Sequence, residues 1–310
     1  MENNKSSGAY NNLNSQINSL FANNRHSISI KSRYKYLDIE RHFAGFLADR
    51  FHLQKLENVK SKHVIAYTES LKSAGKSPST IKTSLAAVRY FHNLTGSKNQ
   101  LITNDKLNID PRAYKAIDRS WTKAEYLQAL AVTKEERPAM YYIFKLGYLY
   151  GYRLEEVVKA TPSHFLEALN SSGEVWCKGK NGQIRYIKIR TPEQEAAARE
   201  VLQYARELGK GNNDKIFCDN VKGSVQQCKR SVQNYITSNQ HKWIDNNRIF
   251  LNDTAKIKSK NLVYHGLRYS YCNNLYADIY KETGDRDYSR KYCSEQLGHH
   301  RLRAVDVYLK

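Results

Sequence analysis

Apolar residues recur at three- and four-residue spacing through most of this chain, and the period shifts to two in one place. Tyr36, Ile39, Phe43, Phe46 and Leu47 form one series, Val64, Tyr67 and Leu71 a second, and Ile81, Leu85, Val88 and Phe91 a third. This is the pattern of amphipathic helices that each bury one stripe. The exception is the pair of segments from Glu174 to Lys180 and from Gln183 to Arg190. They flank Asn181-Gly182, which suits the two positive-φ positions of a type I′ turn. One hairpin among many helices predicts a mainly α fold with a small antiparallel β-sheet (α+β).

Punctuation divides the chain. Residues 1–30 are rich in Asn and Ser and poor in regularly spaced large apolar side chains, so they are expected to form a flexible tail. A small helical domain is expected over residues 31–117. Within it, Gly75 suits a helix end, and Ser77-Pro78 suits the next start, with proline in the first turn. A polar stretch from Gly96 to Asp110 follows. Trp121-Thr122-Lys123-Ala124-Glu125 then offers a Thr-x-x-Glu capping box, opening a second domain over 118–310. It is expected to begin with helices over Lys123–Ala131 and Ala139–Thr161, and the polar segment from Ser238 to Lys260 is expected to be looped.

Fifty Lys and Arg against thirty Asp and Glu give a formal charge of +20 over 310 residues, which predicts a polyanionic partner. No run of eighteen apolar residues occurs and the N-terminus lacks a signal-peptide pattern, so neither membrane insertion nor export is expected. Cys177, Cys218, Cys228, Cys272 and Cys293 are an odd number and never form a C-x-x-C pair. They are read as reduced cysteines of a cytoplasmic protein, mostly core. No His, Cys or acidic set has metal-ligand spacing, so no metal or cofactor is expected.

Three clusters carry potential chemistry: Gly151-Tyr152-Arg153-Leu154-Glu155-Glu156 late in a helix, His265-Gly266-Leu267-Arg268 entering one, and Leu297-Gly298-His299 followed by Tyr308. Each alone reads as ordinary surface or capping residues. In order, with a hairpin lysine between the first and second, they resemble the tyrosine recombinase (phage integrase) family. That resemblance implies a catalytic set of Arg153, Lys180, His265, Arg268, His299 and Tyr308. It extends over about residues 31–310, because Lys72-Ser73-Ala74-Gly75-Lys76-Ser77-Pro78-Ser79-Thr80-Ile81 is similar to the family's SAM-like core-binding domain. The implied partners are double-stranded DNA, contacted through Lys76, Ser77, Ser79, Thr80, Lys82, Arg89, Lys178 and Arg185, and three further copies of the chain in a tetramer on paired sites. The implied location is the cytoplasm, on the nucleoid when DNA-bound.

The chemistry fits the same residues. Attack on a phosphodiester builds charge on the non-bridging oxygens, which without a metal calls for planar bidentate donors such as Arg153 and Arg268. Glu156, one turn beyond Arg153, would fix its guanidinium. A tyrosine, Tyr308, gives a phosphoester whose phenolate leaves more readily than an alkoxide. The departing DNA 5′-oxygen needs a proton, which a lysine at the hairpin tip could supply. Lys178 shares a strand face with Lys180 by the two-residue period, so periodicity leaves both open. The family's pattern of a Lys, then an Arg about five residues on, then alternating apolar residues fits Lys180 with Arg185, Ile187 and Ile189. His265 would accept the tyrosine proton or bond a phosphate oxygen, and His299 would donate to the other.

The resemblance therefore implies a site-specific recombinase, an integrase or transposase of a mobile element, that cuts and rejoins DNA through a 3′-phosphotyrosyl intermediate and a Holliday junction without metal or ATP. A type IB topoisomerase uses a similar residue set, and a catalytically silent DNA-binding protein of the same fold would share the charge and helices. Family members usually continue past the tyrosine into a helix that docks on a neighbour. This sequence ends at Lys310, from which weak self-association is expected.

Overall fold

A computed structural model describes residues 8–25, 28–111, 118–179, 182–249, 252–253, 256–257, 261–299 and 302–309. The chain divides into two compact units, Met1–Tyr114 and Lys115–Lys310, each with its own apolar core. The division falls within 112–117, outside the described residues and just before the expected boundary at 118.

The first unit contains α1 (Gly8–Asn23), α2 (Ile30–Phe51), α3 (Ser61–Ser73) and α4 (Pro78–Leu94). The helix α1 overturns the expectation of a flexible tail over 1–30. Ala9, Leu13 and Ile17, at four-residue spacing, are buried, with Tyr10, Leu20 and Phe21 packed beside them. The stripe is narrow, and Asn and Ser fill the rest of the helix surface; burial of the stripe against α2 offsets the ordering cost that the polar composition suggested. The guanidinium of Arg33 on α2 lies 4.2 Å over the Phe21 ring. The start of α4 is as expected: Pro78 occupies the first turn and the Ser77 hydroxyl accepts from Thr80 N–H at 3.2 Å. Phe43, Leu47, Val64, Leu85 and Phe91 form the centre of the core.

The second unit opens with α5 (Lys123–Glu136), capped as expected. Thr122 Oγ1 accepts from Glu125 N–H at 3.1 Å, and Glu125 Oε2 accepts from Thr122 N–H at 2.7 Å. Next comes α6 (Pro138–Tyr150), apolar around most of its circumference and packed among α5, α9 (Pro192–Glu207) and α11 (Tyr264–Thr283). A single helix over Ala139–Thr161 is not what forms. Gly151, at φ 60°, ends α6, and α7 (Leu154–Val158) starts afresh. A side chain at 151 would be strained and would also collide with Tyr271, whose ring carbon lies 2.3 Å from the Cβ position.

After α8 (Ser163–Glu167) come β1 (Glu174–Lys178) and β2 (Ile184–Lys188), paired antiparallel from Glu174 with Lys188 to Lys178 with Ile184. Val175, Cys177, Arg185 and Ile187 face inward, and the hairpin packs between α8 and α12 (Arg286–Gln296). Gly179 N–H donates to Gln183 O at 2.7 Å beside the turn, of which Lys180 and Asn181 lie outside the described residues.

The segment 238–260 is not simply looped. The helix α10 (Ser224–Asn239) leads into 3-10 turns at Gln240–Lys242 and Asn246–Ile249, which bury Trp243 and Arg248. Arg248 forms a fully buried ion pair with Glu125 and donates to Ser120 O at 2.9 Å. Short strands β3 (Asn252–Asp253) and β4 (Lys256–Ile257) pair with each other. Among the described residues, no helix is long and apolar enough to cross a membrane.

Candidate active site

Three chain breaks in the second unit converge: the gap between α6 and α7, the first turn of α11, and the Leu297–His299 turn after α12. Arg153 stands at the N-cap of α7. Its main-chain N–H donates to Glu156 Oε2 at 2.8 Å and its guanidinium to Glu156 Oε1 at 2.6 Å. The Arg–Glu pair is thus part of a helix start, rather than two neighbours late in a helix. Arg268, on α11, is fully buried. It donates to Gly151 O, and to Leu297 O at 2.6 Å. Arg153 Nη2 lies 3.5 Å from the same Leu297 oxygen.

Arg185 corrects an expectation. Expected from the resemblance to contact DNA, it is instead buried in β2, where it donates to Glu156 Oε2 at 2.8 Å, to Gly151 O at 3.1 Å and to Gln296 O. Strand alternation carried the signal, because Arg185 shares the inward face with Ile187. Gly298, at φ 63°, makes room for it: an added Cβ there would sit 2.9 Å from Arg185 Cδ. The glycine of the Leu-Gly-His motif therefore serves arginine packing.

Glu156 sits among these three arginines. Burial alone would raise its carboxyl, but the charges of Arg185 and Arg268, the hydrogen bond from Arg185 and the charge of Arg153 hold it down at about 2. The histidines move the other way from burial plus like charge. Desolvation, then Arg268 and Arg153, lower His265 to about 4 and His299 to about 3. Both rings are neutral at pH 7. Desolvation and the charges of Arg185 and Arg153 lower even Arg268 to about 10, which still leaves it charged.

Tyr308 lies in the turn that follows a 3-10 segment, Leu302–Ala304. Its hydroxyl is 3.3 Å from His265 Nε2, its ring centroid 5.4 Å from that of His299, and the Arg268 guanidinium carbon 5.9 Å from its ring centre. Since a guanidinium only donates, the 3.4 Å approach of Arg268 Nη2 to His299 Nε2 makes that nitrogen the acceptor and puts the ring proton on Nδ1, which has no partner among the described residues.

Of the six residues expected to act together, Arg153, His265, Arg268, His299 and Tyr308 are brought into one cluster, and Lys180 lies outside the described residues. The hairpin end is adjacent: a Cβ at Gly179 would lie 3.1 Å from Glu156 Oε1 and 3.6 Å from Arg153 Nη1. Lys178, one residue earlier, is exposed.

In the first unit, Lys76, Ser77, Ser79 and Thr80 are exposed around the start of α4. Lys82 Nζ donates to Asp110 O at 2.8 Å. Arg89 is committed within its own unit, donating to Asn104 Oδ1 at 2.9 Å and Ile102 O at 2.7 Å. It is half-buried there, so its expected DNA contact becomes a proposal that competes with these bonds. Among the described residues, no group of three His, Cys, Asp or Glu is arranged to hold a metal ion.

The fold is that of the tyrosine recombinases, and residues 20–96 match the family model of the phage integrase N-terminal SAM-like domain. Among solved structures, XerH site-specific recombinase bound to a palindromic difH substrate superposes with a TM-score of 0.65 at 18% identity, covering 95% of this chain and 80% of that one. A lambda integrase tetramer bound to a Holliday junction gives 0.62 at 16% identity, with 96% and 77% covered. The Tn1549 transposon integrase in complex with circular intermediate DNA gives 0.55 at 13% identity, with 95% of each chain covered. No curated protein matches in sequence.

Proposed function

We propose that the chain is a site-specific DNA recombinase of a mobile element, with Tyr308 as nucleophile. The observation that carries the reading is the Tyr308 hydroxyl on His265 Nε2, beside an arginine group ordered by Glu156. Arg153, about a third exposed at 32%, offers donors to a phosphodiester, and the buried Arg268 behind it supplies fixed positive charge against which charge on the phosphate oxygens develops. Tyr308 attacks phosphorus, the bond to the 5′-oxygen breaks, and a 3′-phosphotyrosine remains. Reversal by the 5′-hydroxyl of a partner strand rejoins the DNA, with the bond energy conserved throughout.

In the free protein burial, and then the charges of Arg268 and Arg153, hold the pKa of His265 low, so the neutral ring can accept from the tyrosine hydroxyl at Nε2. The negative charge of a bound phosphate opposes the arginines and raises it, which makes His265 a better base when substrate is present. His299 is the proposed donor to a phosphate oxygen. Lys180 is the proposed proton donor to the leaving oxygen, with Lys178 its competitor. The basic start of α4 contributes phosphate contacts from the first unit, and four copies assemble on paired sites.

Covalent trapping on a nicked site tests the reading. The parent forms a protein–DNA adduct, whereas Tyr308→Phe binds DNA without forming one; an adduct in that variant overturns the assignment. Relaxation of supercoiled plasmid lacking a recombination site would mark a topoisomerase instead. Lys180→Ala is expected to lose cleavage and to recover it when the leaving oxygen is replaced by sulfur, which needs no proton. The same result with Lys178→Ala would move the role by one same-face step.

A further inference from the structure

We propose that Tyr269 is a positioning residue that holds the Tyr308 phenol on His265, an inference that rests on Tyr308 being the nucleophile. Little of the local main chain fixes that phenol. Residues 302–309 form one short 3-10 segment and a turn, secured by Tyr308 N–H to Val305 O at 2.8 Å, the buried Val305 side chain and a partly exposed Arg290–Asp306 ion pair. A phenol on such a segment has two side-chain torsions to settle, and its direction depends on what its ring rests against.

Among the described residues, the nearest ring is that of Tyr269. Its centroid is 4.5 Å from that of Tyr308, at an interplanar angle of 46°, closer than His299 at 5.4 Å or His265 at 5.7 Å. Tyr269 follows Arg268 on the 20-residue helix α11, and it is 5% exposed. It also stands four residues after His265, on the same helical face, with the two rings edge to face at 5.5 Å. One rigid side chain therefore touches both the proton acceptor and the group that gives up the proton. Displacing either by about 1 Å is enough to lose a large factor in rate.

The role belongs to the ring, whose contacts a Phe variant keeps, which makes the test specific. In single-turnover cleavage of a suicide site at saturating protein, Tyr269→Ala and Tyr269→Leu are expected to lower the rate constant by about tenfold or more. Their DNA affinity should stay within about twofold of the parent, because positioning acts after binding. Tyr269→Phe should cleave at close to the parent rate. A parent-like rate in Tyr269→Leu, a Phe variant as slow as Ala, or equal losses in rate and affinity would each overturn the proposal. The Leu variant keeps the site filled if Ala does not fold. The nucleophile assignment fails separately, by an adduct surviving in Tyr308→Phe.

Discussion

Each unit buries a glutamate, and the two behave in opposite ways. In the first unit Glu40 on α2 is 2% exposed, one of its carboxylate oxygens has no partner among the described residues, and desolvation pushes its pKa well above the usual range. In the second, Glu156 is 3% exposed, yet Arg153, Arg185 and Arg268 keep it ionised. Burial is nearly equal, so burial does not decide the charge; the neighbours do. In the helical unit burial disfavours the charged form of its acid, whereas the other unit builds a fixed, charged cluster around one.

Removing the anchor should break that contrast most strongly. Glu156→Ala leaves three arginines crowded without their carboxylate and should cost about 3–5 kcal/mol. Trp121, Trp176 and Trp243 all lie in the second unit, so their fluorescence during urea unfolding reads this loss directly. A change below about 1 kcal/mol would mean the cluster holds itself together without Glu156.

The next effect is on acid stability. A carboxyl held at about 2 in the folded protein, against roughly 4.3 in an unfolded chain, contributes about 3 kcal/mol. That contribution is present above the unfolded value and is lost as pH falls from about 4.5 through 2. His265 and His299, whose folded values lie below the ordinary 6.5, act in the same direction but earlier. The unfolded chain takes up their protons first, so stability falls as pH drops below about 6.5. Tryptophan-monitored unfolding should lose stability from pH 6.5 downward, while ring NMR shows both imidazoles of the folded protein still neutral at pH 5.5.

For Glu40 the sign reverses. Its raised value means that stability is greatest below the unfolded pKa and is lost as pH rises toward the folded one. Glu40→Gln should remove that slope and raise the stability of the first unit at pH 8, read as slower amide hydrogen exchange in α2 and α3. An unchanged slope would place the titration elsewhere. The smallest effect separates two basic residues of the same unit. Lys76→Ala should flatten the log–log salt dependence of DNA binding by about 1, whereas Arg89→Ala should leave it unchanged and cost only about 1 kcal/mol of stability.

Local patterns carried most of the helices, the capping box at Thr122 and the hairpin, since each is written within a few neighbouring residues. The ordered spacing of Arg153, His265, Arg268, His299 and Tyr308 also identified side chains that the fold gathers. What local patterns did not carry were the charges that are satisfied from far along the chain. Arg185 meets Glu156 across 29 residues and Arg248 meets Glu125 across 123; no window shorter than those separations distinguishes them from solvent-facing bases. The helix α1 failed for a different reason, because its apolar stripe is too sparse to outweigh its Asn and Ser content unless α2 is there to cover it. Tyr269, one among 23 tyrosines, is distinguished only by which ring it meets.

Three of the acceptors that hold the buried arginines are main-chain oxygens, those of Gly151, Gln296 and Leu297. A peptide carbonyl survives almost any mutation of its own residue. Genetic drift at positions 296 and 297 can therefore replace the side chain while the arginines keep their grip, provided the backbone takes the same path. A site of this kind is inherited as a course of the chain more than as a string of letters, with Gly151 and Gly298 among the few positions where the course itself depends on which letter is written.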